Sequence, residues 1–403
     1  MTSASENQSR VSSAKGGIHL TLDERLGSGS TPATIIRMLG YPRAGVSRLI
    51  QYYQGRKPEQ NNLDFLRMIF SFGVIYVHCL MLSGTEERPL PFSYSVDTAV
   101  QGFFLVSGYL VFSSYERSST LKSYVVKRAR RIYPAYFFVV MAAAFGLYFV
   151  SQRDLPGYFG SDWLKYVVAN LSFLNFAAPT LPGVFSGNPA PAVNGALWTI
   201  KVEVAFYVAV PIIVSLMHRT GRLPVLLVLY LLSYFYYFAL KTLAVKTGHG
   251  LYDELAKQFP GQLRYFVLGA AIFYYDGQIR KYLGLAGIVA LTISCFVVIE
   301  NLWFWKPILL AAMVFAVAFG PLLPNVGRVG DLSYGAYLFH FPIIQLAIVA
   351  GLFAISTKFA IAVVYVVVTI LAYLCWHLLE KPFLAKSSHY LRAETPAMDY
   401  PPR

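Results

Sequence analysis

The chain has 403 residues, 56% of them hydrophobic and 13% charged, with a mean hydropathy of +0.51. Soluble domains carry roughly 25% charged residues, so composition excludes an ordinary soluble domain. The formal net charge of +14 does not point to nucleic acid, because the basic residues gather in short segments between apolar stretches, as membrane topology requires.

Residues 1–62 are polar and rich in Ser, Gly and Arg, and are expected to form a largely flexible cytoplasmic tail. Within them TPATIIRMLGYPRAGVSRLIQYYQ is mildly amphipathic, enough for a short interfacial helix. No apolar h-region or small-residue cleavage site follows Met1, so the first span is expected to act as an uncleaved anchor.

A hydrocarbon core of about 30 Å needs roughly 20 apolar helical residues per crossing. Ten segments are candidates: 63–83, 97–115, 132–150, 194–217, 223–240, 262–276, 283–299, 306–323, 333–355 and 359–379. The sixth is short and residues 164–180 are ambiguous, which leaves nine or eleven spans open. The Lys and Arg bias, strongest in ERSSTLKSYVVKRARR, places both termini in the cytoplasm. The expectation is an all-α polytopic membrane protein: a transmembrane domain over 63–384, followed by a cytoplasmic tail over 385–403. Two segments on the outer side are long, SQRDLPGYFGSDW through FSGNPAPAVNG and KTLAVKTGHGLYDELAKQFPG, and could shape an acceptor site. Cys79, Cys295 and Cys375 sit singly in apolar segments without zinc or disulfide spacing, so packing roles and no metal site are expected.

The first span, LDFLRMIFSFGVIYVHCL, carries three ionisable residues. Arg67 and His78 are eleven positions apart, close to three helical turns, and therefore share a face about 16 Å apart along the axis. Asp64 lies three residues before Arg67 on nearly the same stripe. A charge at mid-membrane costs on the order of 2.5–3.5 kcal/mol even on lenient scales, so this seam should face a cavity or a partner. A plainer reading has Asp64 and Arg67 paired at the interface and His78 hydrogen-bonded in the bundle.

KRARRIYP follows, with Arg128 and Arg131 at i and i+3. Topology alone accounts for such a cluster, but two guanidinium forks side by side also suit phosphates or an anionic lipid head group. In NGALWTIKVEVAFYVAVP, Glu203 lies about 12 Å into its span, a depth that His78 can match. A carboxylate there would orient a catalytic imidazole; alternatively Glu203 pairs with Lys201 or Lys165 near the interface. His340 in GDLSYGAYLFHFPI has Ser333 and Tyr337 on its side of the helix and reads as structural. His377 and Glu380, at i and i+3, read as an interfacial pair. Ser107 and Gly108 in FFLVSGYLVF imply close helix packing or a local break lining a cavity.

Taken together, LDFLRMIFSFGVIYVH, FFLVSGYLVF, KRARRIYPAYF, LWTIKVEVAFYVAVP, GDLSYGAYLFHFPI and LEKPF resemble, in order, the membrane acyltransferase family 3, whose members O-acylate bacterial carbohydrates. The resemblance runs from residue 63 to about 384. It implies a ten-helix core, acyl-CoA as cytoplasmic donor and a carbohydrate or lipid-linked glycan hydroxyl as acceptor. By position it places the family's essential Arg and His on Arg67 and His78, and its Arg-x-x-Arg motif on Arg128 and Arg131. The family's Trp-Ser-Leu-Ser-Val-Glu-Glu pattern is WTIKVEV here: Trp198 and Glu203 are kept, Lys201 replaces a small residue, and Val204 stands at the second acidic position.

The mechanism implied has Arg67, Arg128 and Arg131 holding CoA phosphates, His78 as general base and Glu203 orienting it. Trp198, Ser107, Tyr109 and His340 would support the substrate or the scaffold. Acetyl-CoA would be a co-substrate, with no bound cofactor or metal and no nucleic acid. Membrane lipid and a polysaccharide biosynthesis machinery would be the remaining partners, in a bacterial inner membrane. A covalent acyl-His intermediate is an alternative chemistry. A transporter or flippase for a lipid-linked sugar or proton-coupled solute is the alternative class, since intramembrane Arg, His and Glu serve those proteins too. An assembly scaffold would fit the composition but has no use for the seam.

Overall fold

A computed structural model describes residues 61–85, 96–296 and 304–384, with Tyr53, Ser388 and Leu391. The chain divides into units 1–55 and 56–403, and the helices described below belong to the second. Apart from Tyr53, the segment expected to hold an interfacial helix lies outside the described residues, as does the C-terminal tail apart from Ser388 and Leu391.

The regular secondary structure among the described residues is helical, without a strand. The principal helices are α1 (Leu63–Ser83), α2 (Val96–Glu116), α3 (Leu121–Gly146), α4 (Ser161–Leu171), α5 (Trp198–Thr220), α6 (Arg222–Thr247), α7 (Gly250–Ala256), α8 (Phe259–Tyr274), α9 (Asp276–Phe296), α10 (Lys306–Ala318), α11 (Leu332–Val349) and α12 (Thr357–Cys375). Among the described residues, seven helical segments are long and apolar enough to cross a membrane, containing α1, α2, α3, α5, α6, α11 and α12. The other three expected spans fall on α8, α9 and α10, and α10 is apolar but only 13 residues long. The ambiguous 164–180 stretch is the end of the 11-residue α4 and the turn after it.

One boundary differs from the sequence reading in a way that matters for the site. The third span was expected over 132–150, with Arg128 and Arg131 on the helix start at its inner entry. In the structure α3 begins at Leu121, because the Thr120 side chain caps Ser123 N at 3.1 Å and nothing interrupts the helix until Pro134. Arg128 and Arg131 are therefore helical, on adjacent turns of one face.

α11 is the most buried of the spans, with 72% of its apolar window inside the protein against 22% for α6. α6 is apolar all round and leaves Leu227, Val228, Leu231, Leu232 and Phe235 exposed, as a lipid-facing helix must. α11 packs between α1 and α12 and also touches α3. α2 packs against α1, α5 and α8, and α8 continues to α6. The start of α1 is tied to the end of α10: Asn62 Nδ2 donates to Val317 O at 2.7 Å and Pro321 O at 2.8 Å, and Leu323 N donates back to Asn62 Oδ1 at 3.0 Å. One side chain thus satisfies carbonyls freed at a helix end, where water is scarce.

The α2–α8 crossing explains the small residues of FFLVSGYLVF. A Cβ on Gly108 would overlap the Phe266 carbonyl oxygen, and one on Gly269 would overlap the Leu105 carbonyl oxygen. Without a hydrophobic drive between helices in lipid, such close backbone approach supplies the packing energy. Adding one methyl at either glycine should cost about 1–3 kcal/mol through overpacking. Gly108→Ala and Gly269→Ala are each expected to lower the unfolding midpoint of the purified protein, whereas Gly277→Ala, with open space at its Cβ, should leave it unchanged or slightly raised.

Candidate functional site

The charges of the first span meet partners rather than lipid. Arg67 Nη1 donates to Asp331 Oδ2 at 2.6 Å and lies 3.8 Å from Asp64 Oδ1. Arg131, from α3, donates to the same Asp331 oxygen and, through its other terminal nitrogen, to Glu380. Asp331 is the N-cap of α11, and its second oxygen accepts from Ser333 N at 3.2 Å and Ser333 Oγ at 2.5 Å. Gly330 precedes it at φ 103, a conformation open to glycine, with Trp376 where a Cβ would stand. Burial opposes ionisation of Asp331, but Arg67, Arg131 and the Ser333 hydroxyl outweigh it and hold the carboxyl well below the usual carboxylate range. Arg131 also lies over the Tyr334 ring, 5.2 Å from its centroid.

A cavity opens beside this cluster. Arg67, Arg131 and Ser333 line it, and so do Arg128, Ser107, Glu203, Tyr207 and Tyr337. Glu203 Oε1 accepts from Tyr207 OH at 2.6 Å and from Ser107 Oγ at 3.2 Å. Arg128 Nη2 donates to Ser114 Oγ at 3.0 Å, its guanidinium sits 5.5 Å from the Tyr207 ring centroid, and its buried Nε has no hydrogen-bond partner among the described residues. Arg128 is therefore a cation at the cavity with bonding capacity to spare, while Arg67 and Arg131 are committed to carboxylates.

At the far end of the α1 stripe, His78 Nδ1 lies 2.8 Å from His340 Nε2. His340 is fully buried, and its Nδ1 lies 2.7 Å from the Tyr337 carbonyl one turn back on α11. Phe341 packs edge-on to His78 with centroids 5.6 Å apart. The long segment before α5 is fastened over this end of α11. Asn188 Nδ2 donates to Gln345 Oε1 at 2.8 Å, Gln345 Nε2 donates to Ala190 O at 2.5 Å and Ala192 O at 2.8 Å, and Asn194 Nδ2 donates to Leu338 O at 2.9 Å.

The expected pairing of Glu203 with His78 is not the one found. α1 packs against α2, α11 and α12, whereas α5 packs against α2, α6 and α8, so the neighbour of His78 is His340 and Glu203 meets Ser107 of α2. Nor does Glu203 pair with a lysine: Lys165 bonds Asp162 at 2.9 Å, and Lys201 sits 4.6 Å from the Phe176 ring centroid. The His377–Glu380 pair is likewise replaced, because a π-turn at Trp376–Glu380 carries Glu380 to Arg131, while His377 packs on Tyr373. Trp198 opens α5 outside the cavity lining, and Tyr109 packs among Phe273, Phe315 and Phe319. Cys79 and Cys375 are buried and unbridged. Among the described residues no cluster of His, Cys, Asp and Glu could hold a metal ion.

Asp331, Thr199 and Tyr207 are the site residues that sequence reasoning missed. Asp331 had a signal, an acid just before a helix whose third residue is Tyr334, but its partners are 264 and 200 positions away. Removing its charge leaves two buried guanidiniums short of a counter-ion, a change that costs roughly 3–5 kcal/mol. Asp331→Asn should accordingly depress the thermal midpoint of the detergent-purified protein, and adding Arg67→Gln to it should recover part of the loss.

Comparison with known proteins agrees with the family read from the sequence. The acyltransferase domain profile of acyltransferase family 3 matches residues 60–377. Nodulation protein 10 of Rhizobium leguminosarum bv. viciae is 28% identical over 355 residues, covering 80% of this chain and 93% of the relative. The O-acetyl transferase of Shigella phage Sf6 is 25% identical over 342 residues, covering 82% of this chain and 98% of the relative. No solved structure is matched. With the profile spanning most of a multi-pass helical bundle, the chain belongs to the membrane acyltransferase family 3.

Proposed function

We propose that this O-acyltransferase moves an acetyl group from cytoplasmic acetyl-CoA to a hydroxyl of a cell-surface or lipid-linked carbohydrate, in a bacterial inner membrane. The observation that carries the reading is a single polar path. The cavity runs from the arginine cluster past Glu203 and ends at Tyr337; beyond its lining the Tyr337 carbonyl contacts His340, and His340 contacts His78. The rise from Arg67 to His78, about 16 Å, is comparable to what a pantetheine arm must span.

In this reading Arg128 meets the phosphates, since its bonding capacity is not used up by carboxylates. Arg67 and Arg131, with Asp331 and Glu380, keep the mouth of the cavity in shape. His78 takes the proton from the acceptor hydroxyl as its oxygen attacks the thioester carbonyl. The C–S bond breaks as the ester forms, and the proton passes to the departing CoA thiolate. The name of the phage relative, O-acetyl transferase, supports acetyl as the group moved. The segment 188–194 fastened over α11 would border the acceptor. Other members of a polysaccharide biosynthesis machinery would supply that acceptor.

Purified protein incubated with labelled acetyl-CoA and a panel of glycans should transfer label in detergent, where a transporter would transfer none. His78→Ala is expected to lower turnover on the order of 10²–10⁴-fold with the thermal midpoint retained; normal product formation would remove His78 from the role of base. Arg128→Gln removes a charge-assisted contact worth about 1.5–3 kcal/mol. It should raise KM for acetyl-CoA roughly 10- to 100-fold with a smaller change in kcat, and an unchanged KM would take the phosphates away from Arg128.

A further inference from the structure

The two imidazoles are neither stacked nor independent. Their planes are within 7° of parallel and their centroids are 5.0 Å apart, while His78 Nδ1 and His340 Nε2 are 2.8 Å apart. Parallel rings lying face to face cannot bring two nitrogens that close, because 2.8 Å is less than the van der Waals thickness of a ring. The rings therefore lie edge to edge in nearly one plane, the arrangement of a hydrogen bond in which an N–H of one ring points along the lone pair of the other.

The direction of that bond follows from the far side of His340. A backbone carbonyl can only accept, so the 2.7 Å contact to Tyr337 O requires a proton on His340 Nδ1. Were His340 Nε2 also protonated, a cation would sit in a fully buried position, and no carboxylate is ion-paired to either ring among the described residues. That state is too costly in a low-dielectric interior. His340 is thus neutral, its Nε2 is an acceptor, and His78 Nδ1 must be the donor. With its proton on Nδ1, neutral His78 has its basic lone pair on Nε2, and the contact of Nδ1 to His340 is the hydrogen bond its ring makes among the described residues.

We infer that His340 is a positioning residue: the Tyr337 carbonyl orders its tautomer, and His340 in turn holds the proton of His78 on Nδ1, so that Nε2 is the nitrogen that meets the acceptor hydroxyl. This rests on the reading of His78 as the base. It replaces the carboxylate expected from the sequence, Glu203, with a neutral acceptor. An imidazole in this place orients the base as a carboxylate would, without bringing a further negative charge into the membrane interior. When His78 becomes protonated during turnover, Nε2 carries the new proton and Nδ1–H continues to donate to His340. The relay therefore keeps its hydrogen bonds through the reaction.

The unaltered enzyme, ¹⁵N-labelled at histidine, provides the first test, because the tautomer is read in the parent protein. The His78 resonances, assigned by their loss in His78→Ala, should show a protonated Nδ1 and a pyridine-like Nε2 at neutral pH. A predominantly protonated Nε2 would overturn the inference. The second test compares His340→Gln, His340→Asn and His340→Leu in kinetics of acetyl transfer. Gln can place an amide oxygen where Nε2 stands and accept from His78; Asn reaches only toward the Tyr337 carbonyl; Leu offers neither. Gln should stay within about tenfold of the parent in kcat, while Asn and Leu should fall on the order of 10²–10⁴-fold with KM for acetyl-CoA unchanged. Equal losses for all three with unchanged His78 spectra would show a purely structural His340. If His78→Ala retained turnover, the base assignment would fail, and the tautomer spectrum would still decide whether His340 orders His78.

Discussion

The bundle depends on one shared acceptor, the Asp331 oxygen that receives guanidinium hydrogen bonds from both α1 and α3. A lone guanidinium within a bilayer would be expelled or would drag water with it. Arg67 and Arg131 stay because Asp331 and Glu380 answer them in the protein interior. Since the four residues come from α1, α3, the N-cap of α11 and the π-turn after α12, satisfying the charges also fixes those elements in register. Hydrophobic burial could not do this alone, because apolar helices slide past one another in lipid at little cost. Such a cluster is weak as a source of net stability but strong as a constraint on arrangement.

From that constraint the chemistry divides along α1. One end of the stripe is charged and closes on carboxylates. The other, about three turns away, is an imidazole pair with no carboxylate ion-paired to it among the described residues. α11 connects them: its first turn caps the charged cluster through Asp331 and Ser333, and its later turns present Tyr337 to the cavity and His340 to His78. The most buried span thus links the charged cluster, the cavity and the imidazole pair, and its polar groups are bonded at each of these levels. The Tyr337 hydroxyl, for instance, accepts from Thr199 Oγ1 of α5 at 2.8 Å.

Much of this was legible along the chain. The length of the apolar runs implied the all-α membrane architecture, and helical spacing alone put Arg67 and His78 on one stripe. Ser107 and Gly108 were legible as a close helix crossing or a break lining a cavity; Gly108 meets Gly269 of α8 at a crossing, while Ser107 lines the cavity. Arg128 and Arg131 were legible as neighbours, but the start of their helix was not, because the cap at Thr120 precedes a polar, basic stretch that no apolar run announces. Nothing in the spacing separated the two arginines, although one is sealed by carboxylates and the other retains an Nε with no hydrogen-bond partner among the described residues.

What the sequence by itself determined was each helix taken singly: its apolar run, its apolar face, and which ionisable groups it carries at which height. Those properties follow from backbone hydrogen bonds within a segment and from a period of 3.6 residues, both local. The identity of partners was decided only by the tertiary structure. Glu203 and His78 could stand at similar depth, yet α5 packs on α2 and not on α1, so Glu203 meets Ser107 and Tyr207 while His78 meets His340. Depth in a membrane is set by the sequence of one helix, whereas azimuth and neighbour are set by how all of them pack, and an imidazole 262 residues away is invisible until they do.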